Sequence, residues 1–476
     1  MGWSLLKVPE KEQASAWSPW VCLLIIISGL FIGLIIAVLK SPTAELSLLN
    51  SGYGLSLMTW IFAGISVSIA LYSLCWEIVA TCVWNWNTWC RHTHLICRRR
   101  THQHLIILNH IFLSSDTKLL SRITHIPEDD DLDTPPLMLL PEEVMTQGIP
   151  RFEQLLRHLI SRILPLLLRR YPSGPLRVIV QTSGSNKERE SQSLQHIWTE
   201  EHLPWETEIE LQNTDSSLKV WNQFMGAAKC PILVLAMHYR QSEDAIPEFA
   251  SVLFLMPPSM LHPDEQKNVL RLFRAMPLNT RLLAAELGEL RDTVFIPADK
   301  KSLVWHSGLS DAAAQSVNRI LHELSVPLYD DIGMGGVIDY DRECARYGAL
   351  AGWAMIGAAA DMAVYGPSCQ WLLQENEDDA WAVVLGNVSS AIGHEDLIVP
   401  PPFPGGSIQI ASLLSGGLYS LIIFYFPSIA FSWLGMAILL LSLVLMLPGM
   451  AFVLRHVIAR FQYPLFIRAV KQSEKE

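Results

Sequence analysis

Residues 214 to 239 read "TDSSLKVWNQFMGAAKCPILVLAMHY", and two structural periods follow one another in that span. From Ser217 the apolar residues Leu218, Trp221 and Met225, with Val220 and Phe224, fall three and four apart, the spacing of one helical face. From Pro231 to Tyr239 the run is short, apolar and bounded by turn residues, which predicts a strand buried on both faces. A helix feeding a fully buried strand is the unit of a layered α/β domain.

Working outward, the same alternation continues. "LRVIVQT" (Leu176–Thr182) and "FASVLFLMPP" (Phe249–Pro258) predict strands, and "TVFIPA" predicts another after a helix starting at Pro263, "PDEQKNVLRLFRAM". "RFEQLLRHLISRILPLLLRRY" has helical periodicity, with Pro165 inside it. "SDAAAQSVNRILHEL" predicts a helix capped by Ser310, and "YGALAGWAMIGAAADMAVY" a helix of small residues. "SCQWLLQE" and "AWAVVLGNV" predict a closing strand pair. Some strands follow one another directly, so the expected fold class is α/β with a layered mixed sheet.

That domain sits among apolar runs. Half of the 476 residues are hydrophobic and 17% are charged, against roughly 25% charged in soluble domains. Trp20–Leu39 has no charge and the ~20-residue length of a membrane span. Leu55–Trp76, Ile408–Phe426 and Ala430–Leu447 are three more, the last two joined by a turn at Pro427. Glu77 ends the second run and is expected at headgroup level. The resulting map has a cytoplasmic N-terminus at 1–19, two spans in 20–84 and a basic juxtamembrane segment with an acidic linker in 85–149. The α/β domain follows in 150–397, then a proline-rich linker and two spans in 398–454, and a basic tail in 455–476. Within 85–149, the tract from Leu105 to Ile123 is expected to lie along the membrane surface, and "PEDDDLDTPP" to be the linker.

Basic residues set the expected orientation. Arg91, Arg98, Arg99 and Arg100 follow the second span, Arg455 and Arg460 follow the fourth, and the loop at 41–54 has neither Lys nor Arg. Both ends and the large domain are therefore expected in the cytoplasm of a bacterial cell, with the basic flanks against anionic lipid. The arginines belong to "CRHTHLICRRRTHQH", which raises a competing metal reading for Cys90, His92, His94, Cys97, His102 and His104. The H-x-H pairs and the six residues between the cysteines do not match the usual zinc spacings, so a stop-transfer flank is preferred. A net charge of −11 argues against nucleic acid as a partner. "GMGG" at Gly333–Gly336 lacks a following Lys-Ser/Thr, and no cofactor is expected.

Between Leu176 and Val388 the order of elements resembles the thiolase/β-ketoacyl synthase family. The opening stretch looks like that family's nucleophile turn, buried helix and strand, and "LVWHSGLSDAAAQSVNRIL" is like the place of its first catalytic histidine, here His306. "DIGMGGVIDYDRECARYGALAGWAMIGAAADMA" is similar to its glycine-rich turn and small-residue helix, where Gly348, Gly352 and Gly357 would permit close helix approach. The resemblance implies a thiolase-like fold and a homodimer. It breaks at the chemistry. The family's cysteine is replaced by Asp215 or Ser216, and "DIGMGGV" contains no second histidine. Ketosynthase-like proteins occur among accessory components of bacterial type VI secretion loci. The expectation is thus a non-catalytic, inner-membrane scaffold with protein partners in a secretion or envelope machine. The alternatives are an enzyme acting on acyl or lipid-linked substrates, with His306 as base beside Asp215 and Ser216, and a transporter component.

Overall fold

The stretch quoted first folds as the sequence predicts. Ser217–Met225 is helical, and Ile232–His238 is a strand buried at every position. The structure is a computed structural model. It describes all residues except 1, 4–7, 41–51, 125–136, 140–147, 213–214, 227, 241–245, 268, 294–299, 332–333, 368, 378, 388–398 and 474–476. The acidic linker and most of "TVFIPA" therefore lie outside the described residues. The chain divides into two units, residues 1–5 with 96–392 and residues 6–95 with 393–476.

The helices used below are α1 (Pro19–Lys40), α2 (Gly52–Thr101), α3 (Arg151–Arg170), α4 (Lys187–Glu200), α5 (Ser217–Met225), α6 (Leu283–Thr293), α7 (Asp311–Glu323), α8 (Ala351–Tyr365), α9 (Gly405–Tyr425) and α10 (Trp433–Ser473). The strands are β1 (His104–Ser114), β2 (Gly174–Thr182), β3 (Trp205–Gln212), β4 (Ile232–His238), β5 (Phe249–Met256), β6 (Leu270–Phe273), β7 (Met276–Leu278), β8 (Ser302–Ser307), β9 (Val337–Asp339), β10 (Cys369–Asn376) and β11 (Asp379–Gly386).

All of these strands share one mixed sheet, in the order β9-β8-β10-β11-β6-β1-β5-β4-β2-β3, with β7 beside β11. The order contains an internal repeat. From the outer edge inward, β3, β2 and β4 are parallel, then β5 and β1 run antiparallel. On the other side β9, β8 and β10 are parallel, then β11 and β6 run antiparallel. The halves meet where β1 pairs antiparallel with β6, His104 opposite Phe273. The helices repeat too: α3, α4 and α5 take the chain positions that α6, α7 and α8 take in the second half.

Alternation along the strands sorts the core. On β2 and β4, Ile179, Val234 and Ala236 join a cluster with Trp221 of α5 and Trp353 of α8, which also holds Trp305 and Leu372 of the second half. Their neighbours Val178, Val180, Leu233 and Leu235 face the other way, under Leu156 and Leu159 of α3 and Ile197 of α4. In the second half Val304, Trp371 and Val384 likewise pack under α6 and α7. This is the period-two consequence of a strand buried on both faces. Where α8 crosses β1 and β5, a Cβ on Gly357 would lie 2.7 Å from Phe112 and 3.0 Å from the Ser251 hydroxyl, so only glycine permits that approach. Gly348 has a different reason, a φ of +56° with open space around it.

Two expectations fail here. The tract at 105–123 does not lie on a membrane surface: it opens with β1, near the middle of the sheet. Leu105, Ile106 and Ile107 are buried in succession, which suits a strand covered on both sides and not an amphipathic helix. The described residues of the 85–149 segment cluster with the α/β unit from Ile96 onward. The helix predicted from Pro263 is a turn followed by β6 and β7, whose residues Arg271, Leu272 and Phe273 are buried consecutively.

The second unit contains most of the apolar helices. Four helices in the described residues are long and apolar enough to cross a membrane: α1, α2, α9 and α10. Gly29 and Gly33 let α1 close on α2, since Cβ atoms there would fall 2.5 and 2.3 Å from Ile65 and Ile61. Glu77, at the end of the second apolar run, is fully buried by protein. Its carboxylate accepts from the Ser407 amide at 2.7 Å and the Ser407 hydroxyl at 2.8 Å, capping the first turn of α9 from a neighbouring helix. The segment at 8–18 runs beside α2: Asn87 exchanges two hydrogen bonds with the Lys11 backbone, and Arg91 makes a two-pronged pair with Glu10.

Candidate functional site

The first turn of α5 is where the resemblance would put a nucleophile. Ser216 occupies the N-cap position but its side chain does not cap the helix. The cap comes from β10 instead. The Gln374 Oε1 accepts from the Ser216 hydroxyl at 3.0 Å, the Ser217 hydroxyl at 3.1 Å and the Leu218 amide at 3.4 Å. Its Nε2 donates to the carbonyls of Gly348 and Ala349 at 2.9 and 3.1 Å. The amide can face only this way, because the reverse would set an NH2 against a backbone N–H and an oxygen against two carbonyls. Ser216 and Ser217 are buried, and a Cβ on Gly352 would lie 2.4 Å from the Ser217 hydroxyl and 2.6 Å from Gln374 Oε1. Protein atoms thus occupy the space in front of the helix terminus.

Asp215 is turned away from that point. Its carboxylate pairs with Lys219 one helical turn on, at 3.0 Å, and its carbonyl accepts from Gln181 Nε2 at 2.7 Å. Lys219 also reaches Asp379 at 3.3 Å, so Asp215 is one arm of a surface ion cluster.

His306 is the last residue but one of β8, and the parallel register sets it beside Asp339 at the end of β9. The Nδ1 to Asp339 Oδ1 distance is 4.0 Å. Burial pushes the imidazole below the usual histidine range, and the carboxylates of Asp339 and Asp341 oppose that shift. Asp339 also caps the short helix Tyr340–Glu343 through the amides of Asp341 and Arg342. Asp341 accepts from the Ser307 hydroxyl at 2.6 Å and the Gly308 amide at 2.8 Å, closing the turn after β8. Gly308 is obligatory there: its φ is +79° and a Cβ would sit 2.0 Å from the Glu375 carbonyl. Among the described residues, no hydrogen bond joins His306 to Ser216 or Ser217. The arrangement holds a buried histidine, two serines and an aspartate in separate structural roles, without the nucleophile–base contact that covalent catalysis requires.

The remaining sequence candidates also separate. Cys90 is buried beside Val8 and Phe466 on α2, while His92 on the same helix is exposed. His104 Nδ1 donates to the His102 carbonyl, 2.9 Å away. Among the described residues, no group of three or more His, Cys, Asp or Glu side chains is arranged to hold a metal ion. Arg98, Arg99 and Arg100 are exposed in the last turn of α2, where cations complement the helix dipole. Arg455 donates to the Pro402 carbonyl at 2.7 Å, and Arg460 lies on α10.

Sequence reading missed Gln374. The available signal was a polar side chain within the otherwise apolar "CQWLLQ" of a buried strand. Gln370, four residues earlier and on the same face, has the same kind of role: it accepts from Trp305 Nε1 at 2.6 Å and donates to Ala359 O at 2.9 Å.

No protein-family model and no curated protein matches the chain. Among solved structures it is similar to the ketosynthase complex AntDE:AntF, at 7% identity and a TM-score of 0.42, over 60% of this chain and 100% of that one. It is also similar to OleA of Xanthomonas campestris, at 10% identity and a TM-score of 0.35, over 60% of this chain and 98% of that one. A third is the 3-oxoacyl-(acyl carrier protein) synthase III FabH of Xanthomonas oryzae, at 11% identity and a TM-score of 0.33, with the same two coverages of 60% and 98%.

Proposed function

We propose that this chain is a membrane-anchored, non-catalytic interaction protein that presents a thiolase-like α/β domain to protein partners at the cytoplasmic face of a bacterial inner membrane. The observation that carries the non-catalytic reading is the Gln374 side chain, which fills the first turn of α5 and engages both serines. Asp215 beside it is tied to Lys219. Four helices of spanning length supply the anchor. The exposed Arg98, Arg99 and Arg100, with no Lys or Arg in the 41–54 loop, support the cytoplasmic orientation and contact with anionic headgroups. On this reading the partners are subunits of a secretion or envelope assembly, and the domain acts as a homodimer.

The test uses the full chain in lipid nanodiscs. Incubation with acetyl and malonyl thioesters is expected to release no thiol above the protein-free rate. In the same cells, affinity capture of the tagged protein after in vivo cross-linking should recover membrane partners, with His306→Ala recovering the same set. Thiol release that His306→Ala abolishes would refute the reading in favour of an acyl-transfer enzyme.

A further inference from the structure

The internal repeat gives the sheet two equivalent crevices, and they differ in content. In the second half, the crevice at the carboxyl ends of β8 and β10 contains Ser307, Asp341 and the Gln374 plug. In the first half, the equivalent place lies at the carboxyl ends of β2 and β4. There β2 leads through α4 to β3 on one side, while β4 turns back into β5 on the other. Strand ends whose connections part in opposite directions leave a crevice, the usual ligand position in open α/β sheets.

That crevice is open. It holds a cavity of about 290 Å³, at the small end of the range for small-molecule sites. Lys187 and Arg346 line it, and no carboxylate does among its described lining residues. In a chain of net charge −11, two cations and no acid among the described lining residues is unusual in composition. Each cation has a carboxylate within 4 Å behind it, and both acids also have other hydrogen-bond partners. Glu190, 3.7 Å from Lys187, is buried and already accepts from Thr182 at 2.6 Å and Tyr239 at 2.5 Å. Asp341, 3.6 Å from Arg346, is occupied by Ser307 and Gly308. Lys187 spends two donors on Thr182, both at 2.9 Å, which fixes its ammonium group in place. Burial lowers the Lys187 pKa, Glu190 opposes that shift, and a further anion nearby would oppose it more. Gly184 lets the loop after β2 lie over Glu190 and Tyr239, since a Cβ there would sit 1.7 and 2.0 Å from their oxygens. The rest of the wall is apolar or aromatic: Ile246, Leu350 and Tyr347, the last packed on His238 at 5.7 Å between ring centroids.

We propose that this first-half crevice binds a small organic oxyanion, a carboxylate or phosphate carried on a short apolar body. Lys187 and Arg346 take the oxyanion, and Tyr347, Ile246 and Leu350 take the apolar part. The site is separate from the α5 terminus and goes beyond the scaffold reading, which stands or falls on thiol release.

Binding is measured on the full chain in nanodiscs by isothermal titration with three probes: inorganic phosphate, phenyl phosphate and phenylacetate. At least one of the two organic probes should bind saturably and more tightly than inorganic phosphate. Comparing the two tells phosphate recognition from carboxylate recognition. K187Q/R346Q should weaken that binding about tenfold or more, the equivalent of roughly 1.4 kcal/mol. Ala349→Phe, which fills the cavity and keeps both charges, should also abolish it. Intrinsic fluorescence of the 16 tryptophans, the buried Trp221 and Trp353 among them, checks that each variant is folded. Saturable binding of neither organic probe to the wild-type protein overturns the proposal, as does equal affinity in K187Q/R346Q. Inorganic phosphate binding as tightly as phenyl phosphate and phenylacetate also overturns it, because the apolar wall would then contribute nothing.

Discussion

Replacing Gln374 by leucine tests the assignment of the α5 terminus most directly. The change keeps similar bulk and removes every polar atom of the plug. Three donors lose their shared acceptor, and the Gly348 and Ala349 carbonyls lose their donors. A buried polar group left unsatisfied costs about 1–3 kcal/mol. The two serine hydroxyls can rotate toward other acceptors, and the two carbonyls are only partly buried. The net expectation is therefore about 2–4 kcal/mol and not the sum over five groups. For a unit of this size each kcal/mol moves the melting temperature by about 2–4 °C, so the midpoint should fall by roughly 5–15 °C. Thermal unfolding of the full chain in detergent, followed by tryptophan fluorescence, measures it. A double-mutant cycle with Ser217→Ala should give a coupling of about 1 kcal/mol. If Gln374→Leu melts within about 0.5 kcal/mol of wild type, as an ordinary surface change does, the plug is incidental and the terminus is a vacant site.

Three other outcomes follow from the same structure. Glu77→Ala should destabilise the helical unit by about 1–2 kcal/mol through loss of the α9 cap, and Glu77→Gln, which keeps an acceptor, by clearly less; unfolding of both in detergent decides it, and equal effects would argue against capping. Gly357→Val should cost about 1–3 kcal/mol or more, because its side chain meets Phe112 and Ser251 where α8 crosses the sheet; a melting temperature unchanged from wild type would contradict the packing. The His306, His102 and His104 pKa values are all lowered by burial, so below the ordinary histidine value of about 6.5 the unfolded chain takes up protons that the folded chain does not. Stability should be flat from neutral pH upward and fall as pH drops through 6.5 toward the folded values, and His306→Asn should make that fall shallower in melting curves taken at pH 7.5, 6.5 and 5.5.

The sequence was most legible where one residue property fixed the outcome. Ile232–His238 is uniformly apolar, and a run buried on both faces has no other short solution. Ser310 caps α7 through the Ala313 amide at 3.3 Å, as its position before "DAAAQSV" implied. It was least legible where tertiary contact overrode local pattern. "HLIILNHIFLS" has polar residues that read as a membrane-facing tract, yet His110 is paired with Asp361 of α8 at 2.8 Å and the strand is central. The edge strand β3, "WETEIELQ", has charges that disguise it, and Arg177 of β2 supplies the partner for Glu208 and Glu210. The surroundings of the alternative catalytic residues were hidden for the same reason. Ser216 and His306 were identified by resemblance in order, but order does not state which side chain a neighbouring strand inserts between them. Gln374 is 158 positions from Ser216, and nothing local to either residue announces the contact.

The repeat makes the difference between the two crevices informative, since one topology has produced both. Gln374 Nε2 holds the carbonyls of Gly348 and Ala349, and Ala349 together with Leu350 lines the cavity at the ends of β2 and β4. Gly348 has a left-handed φ of +56°, so this segment has a defined turn geometry before α8 starts. The plug of one crevice therefore shapes the wall of the other through three consecutive residues. The Gln374 amide fills the first turn of α5. The same amide also fixes the wall against which the apolar part of a ligand would pack. Five hydrogen bonds to two segments account for a glutamine at this position, because a small apolar residue could make none of them.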